Sequence, residues 1–245
     1  MYFIANWKMY GNLSSINTVK NVINLTKKTK FKKIKIIYCP PYTLLRPLIK
    51  KLRKSKIQVG AQNCHTDNKF GAYTGSVNAK MIKSVGGKFV IIGHSENRQA
   101  GDTNFLINLK IKSAIKQKLN IIFCIGESLR ENKKKKTNII LRNQIKIGLN
   151  NIKNIDKIIF AYEPLWSIGT GIIPNSKDLK NRIKVIRNFI KKNYKIKNPR
   201  ILYGGSVNPD NIVSLNKIPS LNGFLVGGAS QDSKKFIDII KKSIN

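Results

Sequence analysis

Eight short apolar runs, rich in β-branched residues, punctuate the chain at residues 3–7, 34–38, 57–61, 89–92, 121–125, 158–162, 201–203 and 223–226. Each is too short for a helix. None alternates strictly between apolar and polar residues, which is the pattern of strands buried on both faces. Between the runs, apolar residues recur at helical spacing, as in Ile16, Val19, Val22 and Ile23 or Leu179, Ile183, Ile186 and Ile190. A further helix is expected over 105–115 with Phe105, Ile107, Leu109, Ile111 and Ile115 on its apolar positions, and a last one over 233–243 with Phe236, Ile237 and Ile240 facing inward. Alternating strand and helix implies parallel strands joined by helical crossovers. An open doubly wound sheet and a closed (β/α)₈ barrel both satisfy this. Even strand spacing, with no linker or composition break, favours the barrel: eight parallel strands, each followed by a helix, in one domain over 1–245. Such barrels typically use about 250 residues.

In a barrel the loops that follow the strands gather at one face, so chemistry is sought there. After the first run stand Asn6 and Lys8. After the fourth stand Gly93-His94-Ser95-Glu96-Asn97-Arg98, with Ser95 suited to cap the next helix. A histidine where a strand passes into a helix meets the positive helix end, which disfavours the imidazolium. His65 has no such neighbours and reads as structural. After the sixth run, Glu163 ends an apolar strand and opens the stretch Glu163 to Gly171. A carboxylate there is costly to bury unless it is used, and burial raises its pKa and makes it a better base. Pro164 stiffens the start of that loop, Gly169 and Gly171 let it turn tightly, and Trp166 and Ile168 give it an apolar underside, as in a mobile lid. The last two runs end in Gly204-Gly205-Ser206 and Gly227-Gly228, whose amides suit an anion.

Lys and Arg total 47 against 11 Asp and Glu, a formal charge of +36. The cations lie along every candidate helix, and a nucleic-acid footprint should cluster, so the charge reads as compositional. The one dense run, Lys133 to Lys136, is expected on a solvated helix start or loop, and polyanion binding only as a low-salt side effect. Cys39, Cys64 and Cys124 are odd in number and unpaired in spacing, which suits a reducing cytoplasm. With two histidines and no metal-binding spacing, no metal is expected. No run of about 18 apolar residues suggests a membrane span, and the N-terminus reads as a strand rather than a signal peptide.

Six stretches together resemble the triosephosphate isomerase family: Asn6-Trp7-Lys8, Gly93 to Glu96, Cys124-Ile125-Gly126-Glu127, Ala161 to Gly171, Tyr203 to Val207, and Val226 to Ser230. They stand in the family's order and approximate spacing. The resemblance implies a TIM barrel and a cofactor-free aldose–ketose isomerase of glycolysis and gluconeogenesis, acting on a triose phosphate. It implies Glu163 as the base, neutral His94 as the electrophile, Lys8 as a positive charge near the developing oxyanion, and Asn6 as a positioner of the substrate oxygen. Glu96 would orient Lys8. The amides of Gly169, Ser206, Gly227 and Gly228 would hold the phosphate. It also implies a homodimer, in which the loop 63–76, with Thr74 and Gly75 at its tip, reaches the partner's site. Three positions depart from the family's pattern. Ser76 stands where Glu is common and Asn97 where Arg is common, so a neutral contact is expected to replace an ion pair across the interface. Pro174 removes a backbone N–H that commonly meets the hydroxyl corresponding to Tyr203. Competing readings are another phosphosugar barrel, such as an aldolase using Lys8 as a Schiff base, and a basic barrel that binds nucleic acid or another polyanion.

Overall fold

A computed structural model describes residues 1–153 and 155–244. Eight parallel strands close on themselves in sequence order. They are β1 (Tyr2–Asn6), β2 (Lys35–Cys39), β3 (Gln58–Ala61), β4 (Phe89–Ile92), β5 (Asn120–Ile125), β6 (Ile158–Tyr162), β7 (Arg200–Tyr203) and β8 (Gly223–Val226). Closure comes from β1, which pairs Tyr2 with Lys35 of β2 on one side and with Gly223 of β8 on the other. Among the described residues ten α-helices surround the barrel: α1 (Val19–Lys27), α2 (Tyr42–Leu52), α3 (Ala79–Ser84), α4 (Ser95–Gln99), α5 (Asn104–Lys116), α6 (Leu129–Lys133), α7 (Thr137–Gly148), α8 (Ser176–Tyr194), α9 (Ile212–Asn216) and α10 (Ser233–Lys242). Among the described residues no helix is long and apolar enough to cross a membrane.

The core has two parts because each strand is buried on both faces. Ile4, Ile37, Ile91, Ile122, Ile159, Leu202 and Leu225 fill the barrel, with Cys39 and Cys124 among them. Their neighbours on the strands, such as Phe3, Tyr38, Phe123 and Phe160, point outward against the helices. All three cysteines are free and buried.

Each strand is followed by a helix as expected, and at two places by a pair of them. β4 is followed by α4 and α5, which are separated at Gly101 and restarted by the Thr103 side chain accepting from Leu106 N–H. β5 is followed by α6 and α7, with α6 opened by a capping box between Ser128 and Glu131. The lysine run 133–136 begins at the end of α6 and continues through the turn before α7, all of it exposed. The apolar face of α5 is also rotated from expectation. Phe105 is exposed, while Asn108 and Lys110 share the buried face with Ile107, Ile111 and Ala114. Both polar residues are satisfied there. Asn108 donates to the carbonyls of Gly148 and Asn150, and Lys110 lies 2.7 Å from Asp102. In α10 the inward residues are Phe236, Ile239 and Ile240, with Ile237 only half-buried.

Candidate active site

The site is assembled where the strands end. Asn6 is the last residue of β1, and its Oδ1 accepts from Lys8 N–H at 3.1 Å. Lys8 sits at φ +52°, a conformation that costs a non-glycine residue about 1 kcal/mol or more. Gln62 holds it there by donating to the carbonyls of Lys8 and Cys39, both at 2.8 Å. The Lys8 ammonium lies 2.6 Å from Glu96 Oε1.

His94, rather than the expected Ser95, caps α4. Its ring Nδ1 accepts from Glu96 N–H at 3.3 Å, leaving Ser95 as the first helical residue. An accepting Nδ1 places the ring proton on Nε2. That atom lies 3.6 Å from Glu163 Oε1. Arg98 braces the turn, donating from Nε to the Gly93 carbonyl at 2.8 Å and from Nη2 to the Cys124 carbonyl at 3.1 Å.

Glu163, just beyond β6, is 2 % exposed. Burial pushes its carboxyl above the usual range. The opposing influences are His94, the Cys124 thiol, the Ser95 amide and Lys8, in that order. Two glycines make room for it. A Cβ at Gly204 would stand 2.9 Å from Glu163 Cγ, and one at Gly126 would stand 1.7 Å from the Glu163 carbonyl oxygen.

The segment after Glu163 forms a 3₁₀ turn at Leu165–Ser167 and then an exposed tip in which Gly169 and Gly171 take φ of +73° and +77°. Ser167 is its hub. The hydroxyl donates to the Ile172 carbonyl at 2.6 Å, meets Tyr203 Oη at 2.8 Å and accepts from Ser206 N–H at 3.3 Å. Having spent its one proton on Ile172, it accepts from Tyr203. Tyr203 therefore has a hydroxyl partner in place of the amide that Pro174 lacks.

Glu127, just beyond β5, was not singled out for a role by sequence reasoning. It is fully buried and accepts from Tyr162 Oη, Trp166 Nε1 and Asn132 Nδ2, all at 3.2 Å. Burial raises its carboxyl, and Trp166 is the strongest opposing contact. The signal that flagged Glu163, a carboxylate ending an apolar strand, was present at Glu127 too.

A cavity of about 870 Å³ opens at this end of the barrel. Asn6, Lys8, His94 and Glu163 line it, and so do Gly169, Ser206, Gly227 and Gly228. Glu96 does not. It lies with Gly75, Ser76 and Asn97 around an adjoining hollow of about 590 Å³, which shares Asn6, Lys8 and His94 with the first. Thr74 borders neither. His65 packs against Tyr73 with the rings tilted by 38° and their centroids 4.3 Å apart, and its Nδ1 accepts from Asp67 N–H. The cavity thus combines a buried carboxylate, an N–H donor facing it, a nearby ammonium and a rim of glycine-rich backbone.

Comparison with known proteins agrees over the whole length. Residues 1–243 match the family model described as triosephosphate isomerase. The chain is 40% identical over 244 residues to the triosephosphate isomerase of Thermodesulfovibrio yellowstonii, covering 98% of both chains. It is 41% identical over 244 residues to that of Dictyoglomus turgidum, covering 97% of both. The crystal structure of triosephosphate isomerase from Bartonella henselae superimposes with a TM-score of 0.90 at 31% identity, over 100% of this chain and 99% of that one. On this shared length and architecture, the chain belongs to the triosephosphate isomerase family.

Proposed function

We propose that this chain interconverts D-glyceraldehyde 3-phosphate and dihydroxyacetone phosphate, with Glu163 as the base. The observation that carries this reading is the pairing of a buried carboxylate with His94 Nε2 at 3.6 Å, at the floor of an open cavity. Glu163 takes the proton from the carbon beside the carbonyl and returns it to the neighbouring carbon. His94 donates from Nε2 to the substrate oxygens as charge develops on them, the division of labour familiar in this family. Lys8 adds positive charge at the same place, and Asn6 positions the substrate oxygen. Glu96, 2.6 Å from the ammonium, orients Lys8. That ion pair also occupies the amine a Schiff-base aldolase would need. The amides of Gly169, Gly227 and Gly228 suit the phosphate. The Ser206 amide joins them once it leaves Ser167, which couples phosphate binding to movement of the lid.

Turnover by the purified protein beside Glu163→Gln tests the assignment. Removing a general base should lower kcat by about 10²–10⁴-fold. Turnover within a few-fold of the parent would assign the base elsewhere.

The same reading includes a homodimer in the cytoplasm. Buried, unpaired cysteines suit a reducing compartment. The hollow bordered by Ser76 and Asn97 is where a partner's loop tip, Thr74-Gly75, would seat, as a neutral contact. Ser76→Glu would bring a charge into that seat with no arginine at 97 to meet it. An unpaired buried charge costs about 3–5 kcal/mol, so the dimer dissociation constant should rise by orders of magnitude in analytical ultracentrifugation. An unchanged constant would remove Ser76 from the interface.

A further inference from the structure

The cations look scattered in sequence, but folding sorts the acids. Every Asp and Glu except Asp156 and Asp238 lies on a segment that follows a strand or on the first turn of a helix beyond it. In a closed parallel barrel those segments share the catalytic end. The segments that lead into the strands gather at the opposite end, the base, and Asp156 is their only acid. Carboxylates at helix starts and lysines at helix ends also suit the helix dipoles, so the separation has a structural origin. Its consequence is a base of nearly one sign. Lys35, Lys56, Lys88, Lys118 and Lys157 are all exposed, each at or just before the start of a strand from β2 to β6.

Two features give this end more than a diffuse charge. Its cations act on one another. Burial and then Lys88, Lys157 and Lys118 hold the Lys83 ammonium below its usual range, and burial and then Lys35 do the same for the Met1 amine. Beside this ring a hollow of about 260 Å³ lies between the ends of α1 and α2, lined by Lys27, Lys32, Lys54 and Lys56 with Thr26 and Ser55. None of these four lysine side chains makes an ion pair or hydrogen bond among the described residues.

We propose that the base of the barrel binds the phosphodiester backbone of nucleic acid without sequence preference, anchored at the four-lysine hollow. Sequence-independent binding of this kind comes from lysines displacing condensed counterions from phosphates. The base offers little for base stacking or for a membrane. Among the described residues, Met1 is the one large apolar residue exposed on the segments leading into the strands, and it is only 39% exposed. Single-strand platforms use exposed aromatics and interfacial anchors use apolar faces, so a duplex backbone fits best. The base lies opposite the cavity, so bound nucleic acid leaves turnover unchanged.

The test compares two variants of equal charge. One carries Lys27→Gln, Lys32→Gln, Lys54→Gln and Lys56→Gln. The other carries Lys133→Gln, Lys134→Gln, Lys135→Gln and Lys136→Gln, which removes the densest run in the sequence from the other end of the barrel. Affinity for a DNA duplex, an RNA duplex of the same sequence, a scrambled duplex and anionic vesicles is measured against salt, with isomerase turnover as the check on folding. The base variant should lose about tenfold in duplex affinity at physiological salt and about three in the slope of log affinity against log salt. The 133–136 variant should change by about twofold or less, with both variants retaining turnover. Equal losses in the two variants would reduce the effect to net charge and overturn the proposal. So would a parent protein that binds no duplex at physiological salt, prefers one sequence, or binds vesicles more tightly than duplex.

Discussion

Glu127 and Glu163 stand at the ends of adjacent strands, both buried, both with the carboxyl pushed up by burial. Their surroundings divide them. Glu127 is surrounded by donors from three residues, Tyr162, Trp166 and Asn132. Glu163 instead faces a cavity, with His94 Nε2 held at 3.6 Å, beyond an ordinary hydrogen bond. A carboxylate whose acceptor capacity is filled is an anchor. One that opens onto a cavity keeps room to take a proton. Residue type and burial are the same, so the partners set the task.

Glu163→Gln gives the largest expected effect and separates the two roles in opposite directions. Turnover collapses, but the fold gains stability at neutral pH. A carboxyl raised in the folded state contributes stability that is fully present below its unfolded pKa and is lost as pH rises through the folded pKa. Above the ordinary carboxylate range the carboxyl of Glu163 is therefore a cost to folding, which glutamine removes. The melting temperature of the variant should exceed the parent's at neutral pH, and the difference should vanish in acid, below the ordinary carboxylate range. On the proposed assignment of Glu163 as the base, turnover in the parent should fall on the acid side at a pH above that range, because a base acts in its ionised form. A variant less stable than the parent at neutral pH would mean that the contacts to His94, Cys124 and Ser95 outweigh burial.

Glu127→Gln should act through the lid. The glutamine NH₂ would face donors, so Trp166 or Tyr162 loses its acceptor. A hydrogen bond to a charged group is worth about 1.5–3 kcal/mol. We expect kcat to fall by roughly tenfold, as a net loss of about 1.4 kcal/mol would give. The acid limb of the pH profile should stay in place, since Glu163, the proposed base, is untouched. Trp166 reports the change directly. The other tryptophan, Trp7, is buried and tied to the Ser230 carbonyl, so added quenching by acrylamide belongs to Trp166. Unchanged quenching with unchanged kcat would reduce Glu127 to a buried spectator.

The barrel and its eight strands were legible because doubly buried parallel strands need continuous apolar runs, and the chain supplies eight. Helix breaks were less so. Gly101 and the capping box at Ser128 and Glu131 act locally and do not disturb the apolar rhythm on either side. The face of α5 was misread because Asn108 and Lys110 look polar in isolation, and their buried partners Gly148, Asn150 and Asp102 come from elsewhere in space. Glu163 was legible through the loop after it. Glu127 carried the same strand-end mark, yet its purpose lies in Trp166, 39 residues on. The sorting of charge between the barrel's two ends was invisible for a related reason. It depends on which loops share a face, and lysine density along the chain points instead to 133–136.

The smallest expected effect concerns the lid's other fastening. Proline at 174 has no amide hydrogen to offer Tyr203, and the structure gives the phenol a different partner in Ser167. That bond joins a buried network in which Ser167 also donates to Ile172 and accepts from the Ser206 amide. Tyr203→Phe removes one bond from a hub that keeps its others, a net loss of about 1 kcal/mol, or roughly fivefold. Ser167→Ala removes the hub itself and should cost more. It should also free the Ser206 amide, so its penalty should fall mainly on kcat and less on KM for the phosphate substrate. Equal, small effects from both substitutions would mean that this face of the lid is held by packing alone. A Tyr203→Phe loss larger than that of Ser167→Ala would mean the phenol has a second partner when the lid moves, which would return Tyr203 to an active part in closure despite Pro174.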